Sequence, residues 1–274
     1  MYQNNISFAG AGRVASALCK ELFSVGFNIE IVASESEERG KPVAESCNAI
    51  WSSDLEYPES TEIIIVSVPD NKLGTVLNAV RCSPGTIVVH TAGSFGLDIF
   101  PEHIKRKGIF YPLQTFSKNR KINFNDLPVL LESSDDQTSA VLVKMAQSLS
   151  AKVHFVDTEH RRMLHVAAVF VSNFTNHMLT EGKVITSKAG FSFEILEPLI
   201  RETVLKALES GPENSQTGPA IRNDTNTIDK HLELLSFSPD LQKIYNELTH
   251  SIIEYYKDKS EEGKGPEHSP SGRG

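Results

Sequence analysis

Ile6-Ser7-Phe8-Ala9-Gly10-Ala11-Gly12-Arg13-Val14-Ala15 is a short apolar run that breaks into Gly-x-Gly-x-x-Ala and resumes as an apolar helix face through Ala17, Leu18, Leu22 and Phe23. A glycine at position 10 permits a tight strand-to-helix turn. One at position 12 lets the backbone approach a pyrophosphate, and the small Ala15 allows close packing of helix on strand. The free N–H groups at a helix start make an anion site. Gly10, Ala11, Gly12, Arg13 and Val14 are therefore the first candidate cofactor residues, against the plainer reading of an ordinary βα turn.

Composition bounds what can be attached to this loop. The chain has 274 residues, 39% of them hydrophobic, which is enough for one large or two modest domains with their own cores. A net charge of −8 argues against a nucleic-acid partner. The first residues carry neither a charged nor an apolar leader pattern, and no apolar run reaches the length of about 18 residues that a membrane span needs. The expectation is a soluble cytoplasmic protein. Cys19, Cys47 and Cys82 are an odd number without metal-type spacing, so buried free thiols and no metal site are expected.

Strand-like and helix-like segments alternate after the loop. Residues 27–33 read as a second strand that ends at Ser34-Glu35-Ser36. Glu62 to Val68 is a β-branched run of the kind covered on both faces of a parallel sheet. Pro69-Asp70 ends it, with Asp70 as a possible cap for a helix through Leu73, Leu77 and Val80, and Thr86 to His90 forms the next strand. This βαβ pattern predicts a doubly wound parallel sheet, with a ligand crevice at the strands' carboxyl ends where Val68, Pro69, Thr91, Ala92 and Gly93 fall. Further strands are expected at 108–111, 128–132 and 151–155, with a helix near 136–149. Beyond Asp157 only helical periodicity remains, first in a long stretch from Thr158 towards Gly190. The expected organisation is an α/β dinucleotide-binding domain over 1–156, an all-α domain over 157–256 and a disordered tail over 257–274.

Two polar clusters in the second half could carry chemistry. At about 100° per residue, Ser172 and Asn176 lie within about 20° of the direction of His165, and Asn173 lies on the shoulder of that face. His165 could serve as an acid or base, with Ser172 and Asn173 hydrogen-bonding a substrate carbonyl or carboxylate. The alternative is mutual satisfaction inside a helical bundle. In Gly218-Pro-Ala-Ile-Arg-Asn-Asp224, Asp224 suits a helix N-cap, and Arg222 could clamp a carboxylate or form a plain ion pair.

These motifs occur in an order that resembles a known family. Gly10-Ala-Gly-Arg-Val-Ala15, Ser67-Val-Pro-Asp70, His90-Thr-Ala-Gly93, Pro112-Leu-Gln-Thr-Phe116, His165 to Asn173, Gly218-Pro219 with Arg222 and Asp224, and His231-Leu232 are similar to the proteins that join a Rossmann-like domain to a helical domain of unknown function. Those proteins are labelled NADP-dependent or deazaflavin-dependent oxidoreductases. Pyrroline-5-carboxylate reductase and ketopantoate reductase are more distant relatives. The resemblance implies hydride transfer between NADP(H) or NAD(H) and a small C=O or C=N substrate at an interdomain cleft, and a homodimer formed through the helical domain. A dinucleotide sensor without turnover is the alternative. On the substrate side the candidates are Gln114, Asn176, Arg222 and Asp224. The family pattern has histidine before Pro-Leu-Gln, where this chain has Tyr111. Cofactor choice is divided: the resemblance leans to NADP, and Arg39 and Lys41 could reach a phosphate from the start of the next helix, whereas Glu35 at the second strand's end leans to NAD, with Ser34 and Ser36 suiting either.

Overall fold

The structure is a computed structural model, and it describes residues 4–117, 120 and 122–262, with the side chains of 258–262 left aside. The first part of the chain runs β1 (Asn5–Ala9), α1 (Arg13–Ser24), β2 (Asn28–Ala33), α2 (Glu37–Glu45), β3 (Ile50–Ser52), β4 (Ile63–Val66), α3 (Asp70–Ala79) and β5 (Ile87–His90). It continues with β6 (Arg106–Pro112), β7 (Pro128–Ser133), α4 (Asp136–Ser148), β8 (Lys152–Phe155) and α5 (Thr158–Ala168).

All eight strands form one sheet in the order β3-β2-β1-β4-β5-β6-β7-β8. The first six follow the doubly wound order and are parallel, with the order reversing between β1 and β4. β7 runs antiparallel to β6, and β8 follows β7 in parallel. The continuous apolar run in β4 has the reason expected of it. Ile63 and Ile65 enter the layer under α1 and α4 with Leu18, Leu22 and Leu142, while Ile64 and Val66 enter the opposite layer with Leu73 and Leu77 of α3.

One local expectation is corrected. Asp70 is the first residue of α3 and caps nothing, because Pro69 holds the N-cap position without a side-chain bond. Helix α2 forms although it contains Gly40 and Pro42. A Cβ at Gly40 would lie 2.0 Å from Ser34 Oγ and 2.6 Å from the Trp51 ring, so its glycine serves close packing and marks no loop.

The chain divides into two compact units, Met1–Thr175 and Asn176–Gly274. Helix α5, expected in the second domain, thus belongs with the sheet. The second unit holds α6 (Thr175–Lys188), α7 (Glu197–Ser210), the short α8 (Pro212–Ser215), α9 (Thr225–Leu234) and α10 (Pro239–Glu262). Within it, His231 Nδ1 and Tyr245 Oη lie 2.8 Å apart and join α9 to α10. Since α10 runs to Glu262, residues 257–262 of the expected tail are helical, and 263–274 lie outside the described residues. Among the described residues no helix is long and apolar enough to cross a membrane.

Candidate active site

The loop after β1 lies beside the loop after β4. Gly10 has φ +111°, and a Cβ there would sit 2.2 Å from Ser67 O, so only glycine fits. Its N–H donates to Ala33 O at 2.7 Å, which ties the turn to the end of β2. At Gly12 the position is the N-cap of α1, with φ −71°. The nearest atom to a Cβ there is Ser67 O, at 4.0 Å. Among the described residues nothing requires glycine at 12, and the space that its missing side chain leaves is open. No side chain caps α1 and no acidic residue lies in its first turn, so its N–H groups point at that space. Ala11, Arg13 and Val14 border it in sequence. A pyrophosphate fits this cradle by charge and by room.

Beyond the cradle, Thr91 Oγ1 donates to Ser67 Oγ at 3.0 Å and Thr91 N–H to Val66 O at 3.2 Å, so the ends of β4 and β5 hold each other with Val68 and Pro69 between cradle and α3. Ala92 N–H donates to His90 Nδ1 at 3.2 Å. His90 is fully buried and stacked on Phe100, and burial pushes its imidazole down to about 4. At the end of β2, the Ser34 hydroxyl donates to Ser36 O and accepts from Trp51 Nε1, leaving it no proton to offer a ribose or phosphate. Glu35 accepts from Lys72 Nζ at 2.6 Å, and that ammonium holds its carboxyl below the usual range.

Helix α5 brings His165 to this edge. Arg161, with no exposed surface, gives one N–H to Glu132 of β7 and another to Phe95 O. Thr158 Oγ1 also donates to Glu132, and Arg162 Nε donates to Ser94 O at 2.8 Å. Glu132 pairs with Ile109 of β6, which pairs with His90 of β5. Four residues further along α5 is a step of about 6 Å. Two residues further along β6 is nearly the same. His165 accordingly meets Tyr111, with Tyr111 Oη and His165 Nδ1 2.9 Å apart and the rings edge-on. The imidazole also lies over Gly93, where a Cβ would be 2.7 Å from Nδ1. Burial raises the Tyr111 phenol above its ordinary value, the Asp70 carboxylate adds to this, and Arg161 opposes it.

The stripe expected from a uniform helix is altered after α5. Val169–Phe174 is a π-helical segment, in which Thr175 Oγ1 donates to Phe170 O, five residues back. A π turn advances roughly 80° per residue instead of about 100°. The change carries Asn173 to roughly 10° from the His165 direction and Ser172 to roughly 75° from it. Ser172 Oγ donates to Asn173 Oδ1 at 3.3 Å. Asn176 opens the second unit, exposed. Gln114 is exposed after β6, its Oε1 accepting from Thr115 N–H at 2.8 Å. Asp224 is the N-cap of α9, accepting from Thr227 N–H and Thr227 Oγ1, and these bonds hold its carboxyl below the usual range. Arg222 is exposed two residues before it. Among the described residues no group of three His, Cys, Asp or Glu side chains could hold a metal ion.

The sequence reading missed Arg161, Glu132 and Lys72. Only Arg161 left a trace, as an arginine one helical turn before His165.

A glycine cradle at the reversal point of a doubly wound sheet, followed in the chain by a set of helices, defines a Rossmann-type nucleotide-binding protein with a helical second part. Residues 3–114 match the Rossmann-like domain model, and residues 127–252 match the domain of unknown function DUF2520. A putative NADP oxidoreductase from Bacteroides fragilis is 38% identical over 92% of this chain and 98% of its own, with a TM-score of 0.85. The chain belongs to this Rossmann-like and DUF2520 family. A Thermotoga maritima protein (22% identity, TM-score 0.69, covering 93% of this chain and 99% of its own) shares the fold. So does an imine reductase from Myxococcus stipitatus in complex with NADP+ (18% identity, TM-score 0.64, 95% and 96%). A search of curated proteins finds no match.

Proposed function

We propose that the protein is an NAD(P)-dependent oxidoreductase that moves a hydride between the nicotinamide cofactor and a small C=O or C=N substrate. The observation that carries this is Gly12, whose missing side chain leaves open space beside an uncapped helix start. Gly10 to Val14 would hold the pyrophosphate, and Val68, Pro69, Thr91, Ala92 and Gly93 would border the nicotinamide half. The bound dinucleotide supplies the hydride. On this reading His165 handles the proton, and Asn173, Ser172 and Gln114 orient the substrate. Asp224 enters as the residue that fixes the start of α9 beside Arg222. The 38% identical Bacteroides fragilis protein favours NADP(H), and Glu35 favours a free ribose hydroxyl, so NADP(H) is assigned as the main cofactor with NAD(H) tolerated.

The reading extends to assembly and place. Leu199, Val204, Leu205 and Leu208 of α7 are all exposed in the single chain, Leu208 at 80%, which suits a homodimer through the helical unit. Three free thiols suit the cytoplasm.

The test is calorimetric titration with NADPH and NADH, followed by absorbance assays of NADPH oxidation against keto acids and cyclic imines. Binding followed by turnover in one class is expected. Absence of dinucleotide binding refutes the reading, and binding without turnover across the panel replaces it with a sensor.

A further inference from the structure

We infer that Tyr111 is the group that gives the proton to the substrate heteroatom, with His165 behind it as the group that recharges it. The inference rests on the oxidoreductase reading and assigns a residue which that reading does not use. Tyr111 lies two residues past the β5 partner Ile109, so it stands level with Ala92 at the carboxyl edge of the sheet. Its hydroxyl is 2.9 Å from His165 Nδ1. The ring is held from behind, because His165 is seated over Gly93 and its helix is tied to the sheet through Arg161, Glu132 and Phe95 O.

A hydroxyl has one proton and two lone pairs. When Nδ1 of a protonated His165 donates to the Tyr111 oxygen, the phenolic proton is free for a substrate. The phenol sits among groups that favour its neutral form: the surrounding protein first, then Asp70 from α3, with Arg161 from α5 opposing. It therefore keeps its proton in the resting protein and parts with it only if a cation within hydrogen-bond reach compensates the phenolate. His165 occupies that position. The balance is complete. The substrate carbon gains a hydride, the pair of its C=O or C=N π bond moves to the heteroatom, and the heteroatom takes the Tyr111 proton. Tyr111 recovers one from His165 Nδ1, and His165 is reprotonated by water.

The experiment compares wild type, Tyr111→Phe and His165→Asn in two ways. The first needs no cofactor: long-range 1H–15N correlation of the His165 ring nitrogens in the free protein at pH 8.5. Tyr111→Phe is expected to move the Nδ1 resonance, and identical resonances in the two proteins overturn the pair. The second is NADPH oxidation with 2-methyl-1-pyrroline and with pyruvate, alongside NADPH titration. Tyr111→Phe is expected to lower kcat by roughly 10²–10⁴ with the NADPH Kd within about 3-fold. The double variant is expected to be no slower than the worse single one, as for groups that act as a unit. A Tyr111→Phe kcat within 3-fold of wild type overturns the inference and leaves the oxidoreductase reading standing. Failure of the wild type to bind NADPH instead overturns that reading.

Discussion

Gly10 and Gly12 make opposite predictions, although a motif treats them alike. Replacing Gly12 by Val places a side chain where the nearest protein atom to its Cβ is 4.0 Å away, at a φ of −71° that valine accepts. The cost to folding is the poorer N-cap alone, at most about 1 kcal/mol. For a unit of this size that is about 2–4 °C in Tm. A pyrophosphate would meet the new methyl groups, so NADPH binding should weaken by roughly 100-fold or more, equivalent to about 2.7 kcal/mol. Gly10→Ala is the control of opposite kind. At φ +111° an L side chain costs about 1–2 kcal/mol. Its Cβ would also press to 2.2 Å from Ser67 O, a backbone atom that cannot swing aside. Together these should cost about 3 kcal/mol or more, or roughly 6–12 °C. Thermal melts and calorimetric titration of the three proteins decide the matter. If Gly12→Val binds NADPH as tightly as wild type, the open space is not the pyrophosphate's. If it melts as early as Gly10→Ala, the cavity argument is wrong.

Glu35→Arg removes the carboxylate that pairs with Lys72 and should shift preference towards NADPH over NADH by roughly 10-fold or more. An unchanged affinity ratio would place Glu35 outside the ribose site. Arg161→Met leaves Glu132 and Phe95 O without their shared donor, and urea unfolding should show a loss of about 3–5 kcal/mol. A loss below 1 kcal/mol would mean that the pair does not hold α5. His90 is kept neutral by burial down to about pH 4, whereas in the unfolded chain it takes a proton near pH 6.5. The unfolded state therefore binds the extra proton between these values, and stability falls as pH drops through that window. Unfolding free energy at pH 5 should be about 2 kcal/mol below that at pH 7.5 from this group, and His90→Phe should lose that share of the difference. Equal pH dependence in the two proteins would remove His90 from the account.

Patterns that depend on neighbours a few residues away were legible without coordinates. The glycine loop, the βαβ alternation, the buried β4 run, the cap at Asp224 and the helices beyond Asp157 all follow from local periodicity and local backbone chemistry. The role of Gly40 inside α2 was not legible, because its reason lies across the chain in Ser34 and Trp51. The candidate site was legible only in its parts. His165 was singled out on a stripe computed for a uniform helix, and the π turn at Val169–Phe174 exchanged Ser172 for Asn173 on that stripe. Neither Tyr111 opposite His165 nor Glu132 opposite Arg161 has any local signature. Those contacts depend on β7 pairing antiparallel with β6 at Ile109–Glu132, and on α5 advancing along its axis at the pace of β6. Register between strands far apart in sequence is settled by the collective burial of both sheet faces, and so the partners of a charged or titrating side chain appear only once the sheet is assembled.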